Sequence, residues 1–229
     1  MAIHNIGMVY LYAQRYSLAL KSFQKAVTVR QAALGSEHPA VAASLMKIGM
    51  IFLLQNNPDG AKEAFYRTIQ VIRKSMGYSS IQMARILNNL GVAHYDAGSY
   101  SKALQSFCEA RDIQLNLLKM AESEGAVLKA QKSTIELAVT NSLSNLGFLH
   151  CKESNHMESY RLLQEANKLR KKHGGIFAPD HHCLEENLTY VGGIVREMGP
   201  EQRVQVSEPD RNPLEKLLDS VLGRMRCMA

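Results

Sequence analysis

Long apolar runs are absent from these 229 residues, none approaching the ~18 needed to cross a bilayer, so no membrane span is expected. Cysteine is scarce and scattered: Cys108, Cys151, Cys183 and Cys227 include no C-x-x-C pair. That pattern argues for free thiols rather than a disulfide framework and suits a reducing, cytoplasmic setting. The first twenty residues already belong to a repeated pattern, which leaves no room for a signal peptide. Phosphate-binding loops are missing as well, because Gly192-Gly193 lacks the Lys-Ser/Thr that would follow and no strand signal precedes it. There is no Gly-x-Ser-x-Gly elbow, and the carboxylates lie along helix exteriors without pairing for acid–base work. His150-Cys151 with His156, and His181-His182-Cys183, are the clusters of metal-ligand type, yet neither offers the pair of pairs that zinc favours. These absences predict a protein that is not an enzyme and has no cofactor and no metal.

Charge of one sign is in modest excess. The formal charge is +6 and the pI near 9.1, but the excess is thinly spread. Its one dense run, Arg170-Lys171-Lys172-His173, ends a predicted helix, where cations complement the macrodipole. It reads as a solvated helix end, and no nucleic-acid partner is expected. With 46% hydrophobic and 21% charged residues the composition is that of a chain able to bury a core.

What is present is repetition. Asn5-Ile6-Gly7, Lys47-Ile48-Gly49, Asn89-Leu90-Gly91 and Asn145-Leu146-Gly147 recur with their glycines 42, 42 and 56 residues apart. Twelve residues after each glycine stands a small residue (Ala19, Ala61, Ala103, Ser159), and sixteen after it a large apolar one (Phe23, Phe65, Phe107, Leu163). Nineteen after come Ala26, Thr68, Ala110 and Ala166, and a further apolar column holds Val29, Val71, Ile113 and Leu169. Each unit reads as two helices, the first with Ile3, Ile6, Gly7 and Tyr10 on one stripe, the second with Leu20, Phe23, Ala26 and Val27, the two stripes facing each other. Between helices lie polar punctuators, among them Asn57-Pro58, an N-cap followed by a proline in the first turn. The glycines let paired helices approach and the aromatics fill the space beside them, so the phenylalanines are core.

A small residue and glycine, an aromatic, then small, Phe and small at these offsets resemble the tetratricopeptide repeat, whose usual unit is about 34 residues. The longer unit here, with Leu34-Gly35 and His38-Pro39 in its connector, resembles the 42-residue repeats of kinesin light chains across residues 1–170. The resemblance implies an all-α, right-handed superhelical solenoid of about four hairpins plus a capping helix. On this reading the repeats occupy about 1–35, 39–77, 81–119 and 134–173, with a cap helix at 179–198. The 56-residue interval carries an insertion at 120–133, read as elongated helices around a break near Gly125. Residues 199–212 read as a linker. An amphipathic helix at 213–227 follows, with Leu214, Leu217, Leu218, Val221, Leu222 and Met225 on one stripe. That stripe folds back or serves self-association.

The resemblance further implies that first-helix positions between packing contacts line a concave groove that binds a peptide or partner protein, making the chain a non-catalytic adaptor. Asn5, Tyr12, Lys47, Leu54, Arg85, Asn89 and Asn145 are the expected groove residues. Asparagine can pair with both N–H and C=O of an extended peptide, while apolar neighbours supply side-chain pockets. Lys47 and Arg85 favour an acidic peptide or a free carboxylate. The alternative is an assembly segment that stacks through its open N-terminal repeat and C-terminal helix.

Overall fold

The structure is a computed structural model and describes residues 2–123, 126–172 and 179–198, with the side chains of 122–130 and 179–183 left out. The described residues form helices α1 (Ala2–Tyr12), α2 (Tyr16–Leu34), α3 (Pro39–Leu54), α4 (Pro58–Met76), α5 (Ile81–Asp96), α6 (Tyr100–Ser123), α7 (Ala126–Lys152), α8 (His156–Lys172) and α9 (Pro179–Glu197). Among them there is no strand, and the fold is an all-α repeat fold. The expected break near Gly125, the linker at 199–212 and the helix at 213–227 lie outside the described residues. The chain divides into two compact units, Met1–Leu117 and Leu118–Ala229.

In the first unit, consecutive helices pack as antiparallel hairpins because the glycine columns permit it. Gly7 lies against the ring of Phe23, where an added Cβ would come within 3.0 Å. At Gly49 and Gly91 a Cβ would sit on the rings of Phe65 and Phe107, closer than real Cβ atoms come. Ala19, Ala61 and Ala103 are buried in the same hairpins, so small residues face each other where the backbones converge. Phe23, Val27, Leu45, Ile48 and Ile51 share one core, and Phe65, Ile72, Leu87, Leu90 and Ile113 another.

The connectors explain why the longer repeat has a fixed start for each first helix. Gly35 takes φ +89° and Gly77 φ +78°, conformations costly for other residues, and the chain reverses there. His38 then caps α3, its Nδ1 accepting the Ala40 N–H at 3.1 Å, and Pro39 opens the helix. Asn57 caps α4 as expected, its Oδ1 accepting the Gly60 N–H at 3.0 Å, and Ser80 caps α5 through the Met83 N–H at 3.2 Å. Each cap satisfies a backbone donor that the helix leaves unpaired.

One expectation for this unit needs correction. Ile6, placed on the stripe facing α2, is 49% exposed, and Val9 is 66% exposed. Their counterparts Ile48 and Ile51, and Leu90 and Ala93, are buried. That column packs in α3 against α2 and in α5 against α4, and no described helix lies on the corresponding side of α1. Val29 is also exposed, whereas Ile113 and Leu169 of its column are buried.

In the second unit, α7 packs on α8 and α8 on α9. Ile135, Val139, Leu143, Leu146 and Leu149 form the buried stripe of α7, opposite Leu162, Leu163, Ala166 and Leu169 of α8. Leu163 takes the phenylalanine's place over Gly147, and the Ser159 hydroxyl donates to the Gly147 carbonyl at 2.7 Å. The α9 helix rests on α8 through Gly192, where a Cβ would come within 2.9 Å of Tyr160. The basic run is a solvated helix end only in part, with Lys171 and Lys172 exposed and Arg170 not. Arg170 is only 5% exposed and donates to Asn141 Oδ1 at 3.2 Å, while Lys172 pairs with Glu136 at 3.2 Å and Lys171 with Glu185 at 3.7 Å. The reason is position: Arg170 lies on the α8 face turned toward α7, so the helix end is used for packing.

Candidate functional site

Three rows of side chains run across α1, α3 and α5 of the first unit, each fixed by its offset from the buried glycine. Two residues before it stand Asn5, Lys47 and Asn89. One residue after it stand Met8, Met50 and Val92, all half-buried. Five residues after it stand Tyr12, 80% exposed, Leu54, 54% exposed, and the exposed Asp96. The rows are parallel because the repeat spacing is a constant 42 residues here and each glycine is pinned against a phenylalanine. The result is a polar row beside an apolar one, with large exposed side chains at the margin.

Lys47 and Arg85 come together across α3 and α5. Lys47 is half-buried, and both that burial and the nearby Arg85 guanidinium lower its pKa from the ordinary lysine value. Neither cation has a hydrogen bond or ion pair among the described residues, and the same holds for the side chains of Asn5, Asn89 and Asn145. Their donors and acceptors are therefore uncommitted, and two adjacent cations without a counter-charge set up a positive potential along this face. Asn145 is half-buried on α7 and belongs to the second unit. Six of the seven expected residues, Asn5, Tyr12, Lys47, Leu54, Arg85 and Asn89, thus lie on first helices of one unit.

A polar knot beside these rows was not anticipated. The Arg30 Nη1 on α2 donates to the Ala40 carbonyl at 2.6 Å and to Ser44 Oγ at 2.7 Å, both on α3, and lies 3.3 Å from His4 Nδ1 on α1. His4 Nδ1 is also 3.2 Å from Ser44 Oγ, and its ring meets Phe23 edge-on at 5.0 Å. The one signal in the sequence is that Arg30 interrupts a column occupied by Ile72 in the next repeat. Of the expected metal-type clusters, His150 sits half-buried on α7 and His156 begins α8. The side chains of His181, His182 and Cys183 are outside the described ones. Among the described residues, no three His, Cys, Asp or Glu side chains converge on a metal position. His94, in the His150 column, is buried against α4, its Nε2 3.2 Å from the Tyr66 hydroxyl.

Comparison with known proteins agrees with the repeat register. Family models of the tetratricopeptide repeat match residues 1–74 and 83–119. The human protein O-mannosyl-transferase TMTC1 is 25% identical over 162 residues, which is 63% of this chain and 17% of that protein. This chain therefore spans about a sixth of that relative's length. Among solved structures, BtubC (BKLC) from P. vanneervenii superposes with a TM-score of 0.62 at 19% identity, covering 76% of this chain and 63% of that one. The apo form of RapI superposes with a TM-score of 0.66 at 15% identity, covering 85% and 63%. A kinesin light chain protein of Podosopora anserina with nearly identical TPR-like repeats gives 0.63 at 15%, covering 97% and 95%. At these identities the structural likenesses are of fold. No described helix is long and apolar enough to cross a membrane. With the glycine and phenylalanine columns in register, their hairpins stacked and two family models matching within residues 1–119, this part of the chain is built of tetratricopeptide repeats.

Proposed function

We propose that the chain is a non-catalytic adaptor that binds an extended peptide of a partner protein along the α1, α3 and α5 rows. The observation that carries this reading is the juxtaposition of uncommitted Asn5, Lys47, Arg85 and Asn89 with the half-buried Met8, Met50 and Val92. The asparagines offer both donors and acceptors to a peptide backbone, and the methionines present adaptable apolar contact area. The Lys47–Arg85 pair favours peptides carrying a carboxylate, through charge-assisted hydrogen bonds. Tetratricopeptide repeats in general mediate protein–protein interaction, which supports the class of function. A cytoplasmic setting suits the free thiols Cys108 and Cys151.

A peptide display screen against the full chain tests this. Peptides selected on the wild type are expected to lose about tenfold or more in affinity for Arg85→Ala/Asn89→Ala, on the order of 1–3 kcal/mol for a lost charge-assisted pair with its neighbour. Undiminished binding by the double mutant would overturn the assignment of this face.

The second reading is assembly of copies of this chain, and it rests on the apolar outer face of α1, where Ile6 and Val9 are exposed. Light scattering across a wide concentration range separates the two. Assembly predicts a mass that rises with concentration and falls back for Ile6→Lys/Val9→Lys, whereas a monomer throughout removes this reading.

A further inference from the structure

We propose that His4 is a proton-operated latch on the first repeat helix: neutral, it ties α1 to α2 and α3 through Arg30 and Ser44, and protonated, it releases α1. This is independent of whether the α1, α3 and α5 rows bind a peptide.

The geometry suits a neutral ring. Arg30 Nη1 lies 3.3 Å from His4 Nδ1 with its two hydrogens given to the Ala40 carbonyl and Ser44 Oγ, so a protonated Nδ1 would set one cation directly against another. Ser44 Oγ, which accepts from Arg30 at 2.7 Å, has its own proton available for the same Nδ1 at 3.2 Å. One imidazole nitrogen thus accepts from α3 and lies against the α2 guanidinium, while the ring edge packs on Phe23 of α2. Few other polar contacts hold α1: no other side-chain hydrogen bond from this helix is present among the described residues.

The surroundings make the charged ring costly. From α2 it faces Arg30, and from α3 Lys47 with the Ser44 hydroxyl. No carboxylate is among the charges that act on it. Burial, followed by Arg30 and Lys47, lowers the affinity of His4 for a proton below the ordinary histidine value. The sign follows from linkage. A released His4 binds a proton at its ordinary value of 6.5 while the latched one resists it, so protons favour release as pH falls below 6.5. The effect grows until the lowered pKa of the latched ring is reached and is constant below it.

The column comparison supplies a variant that cannot titrate. His4 stands in the position held by Met46 and Asn88 in the next two repeats, so His4→Asn places there a residue the fold already accepts. Amide hydrogen exchange of the full chain, corrected for intrinsic rates, is measured at pH 7.5 and pH 5.0. Exchange over residues 2–12 of the wild type is expected to accelerate relative to α3 and α4. The ceiling is about thirtyfold, set by a released imidazole of ordinary affinity against a latched one that does not bind. His4→Asn is expected to show no such acceleration. In the wild type, NMR titration of the His4 ring is expected below the ordinary range and in step with shifts of the α1 amides. The latch is overturned by equal acceleration in His4→Asn and wild type, or by His4 titrating at the ordinary value while the α1 amides stay fixed.

Discussion

The two units close their helix pairs with different chemistry at the same offsets. In the first, Phe23, Phe65 and Phe107 lie on Gly7, Gly49 and Gly91, and apolar contact dominates. In the second, Leu163 lies on Gly147 with the Ser159 hydroxyl bonded to the Gly147 carbonyl at 2.7 Å. Buried hydroxyls are numerous there, Thr140 and Ser144 donating to the carbonyls four residues earlier at 3.0 and 2.9 Å. The lesson is that the register specifies how closely helices approach, while the residue sixteen positions on decides whether a ring or a smaller side chain with a hydrogen bond fills the gap.

Substitutions can break this comparison. Phe65 is fully buried between α3 and α4, so Phe65→Ala is expected to destabilise by about 3–5 kcal/mol, the usual cost of emptying such a site. Because repeats contact only their neighbours, the loss should appear as faster amide exchange in α3, α4 and α5 before α8 responds. Next comes a contrast within the glycine column. Gly49→Ala drives a methyl into the enclosed Phe65 ring and is expected to cost about 1–3 kcal/mol. Gly7→Ala meets Phe23 at 3.0 Å, and the gain in helix propensity of about 1 kcal/mol offsets that contact, so its chemical denaturation should nearly match wild type. Ser159→Ala is expected to lose less than Gly49→Ala, about 1 kcal/mol for one hydrogen bond, with faster exchange confined to α7 and α8. Equal costs for Gly49→Ala and Gly7→Ala would contradict the account of the column.

Much of the fold was legible because a column of glycines and phenylalanines at fixed offsets leaves few ways for helices to pair. Asn57 as a cap followed the same logic, since capping is local. Ile6 was misplaced because periodicity tells which residues share a face and not which neighbour covers it. Arg170 was misread as solvated for a related reason: its partner Asn141 is on another helix, and such a long-range hydrogen bond leaves no periodic trace. The His4, Arg30 and Ser44 knot was hidden in the same way. For the candidate site, the offsets located Asn5, Lys47 and Asn89, while the nearness of Lys47 to Arg85 needed α3 and α5 in place.

The central claim, that a peptide lies along the α1, α3 and α5 rows, is tested most directly by placing a photo-crosslinking side chain at Leu54 on this face and, separately, at Gln70, exposed on α4. With a peptide selected on the full chain, crosslinks should form from position 54 and not from position 70. Crosslinking from position 70 alone, or equally from both, would contradict it.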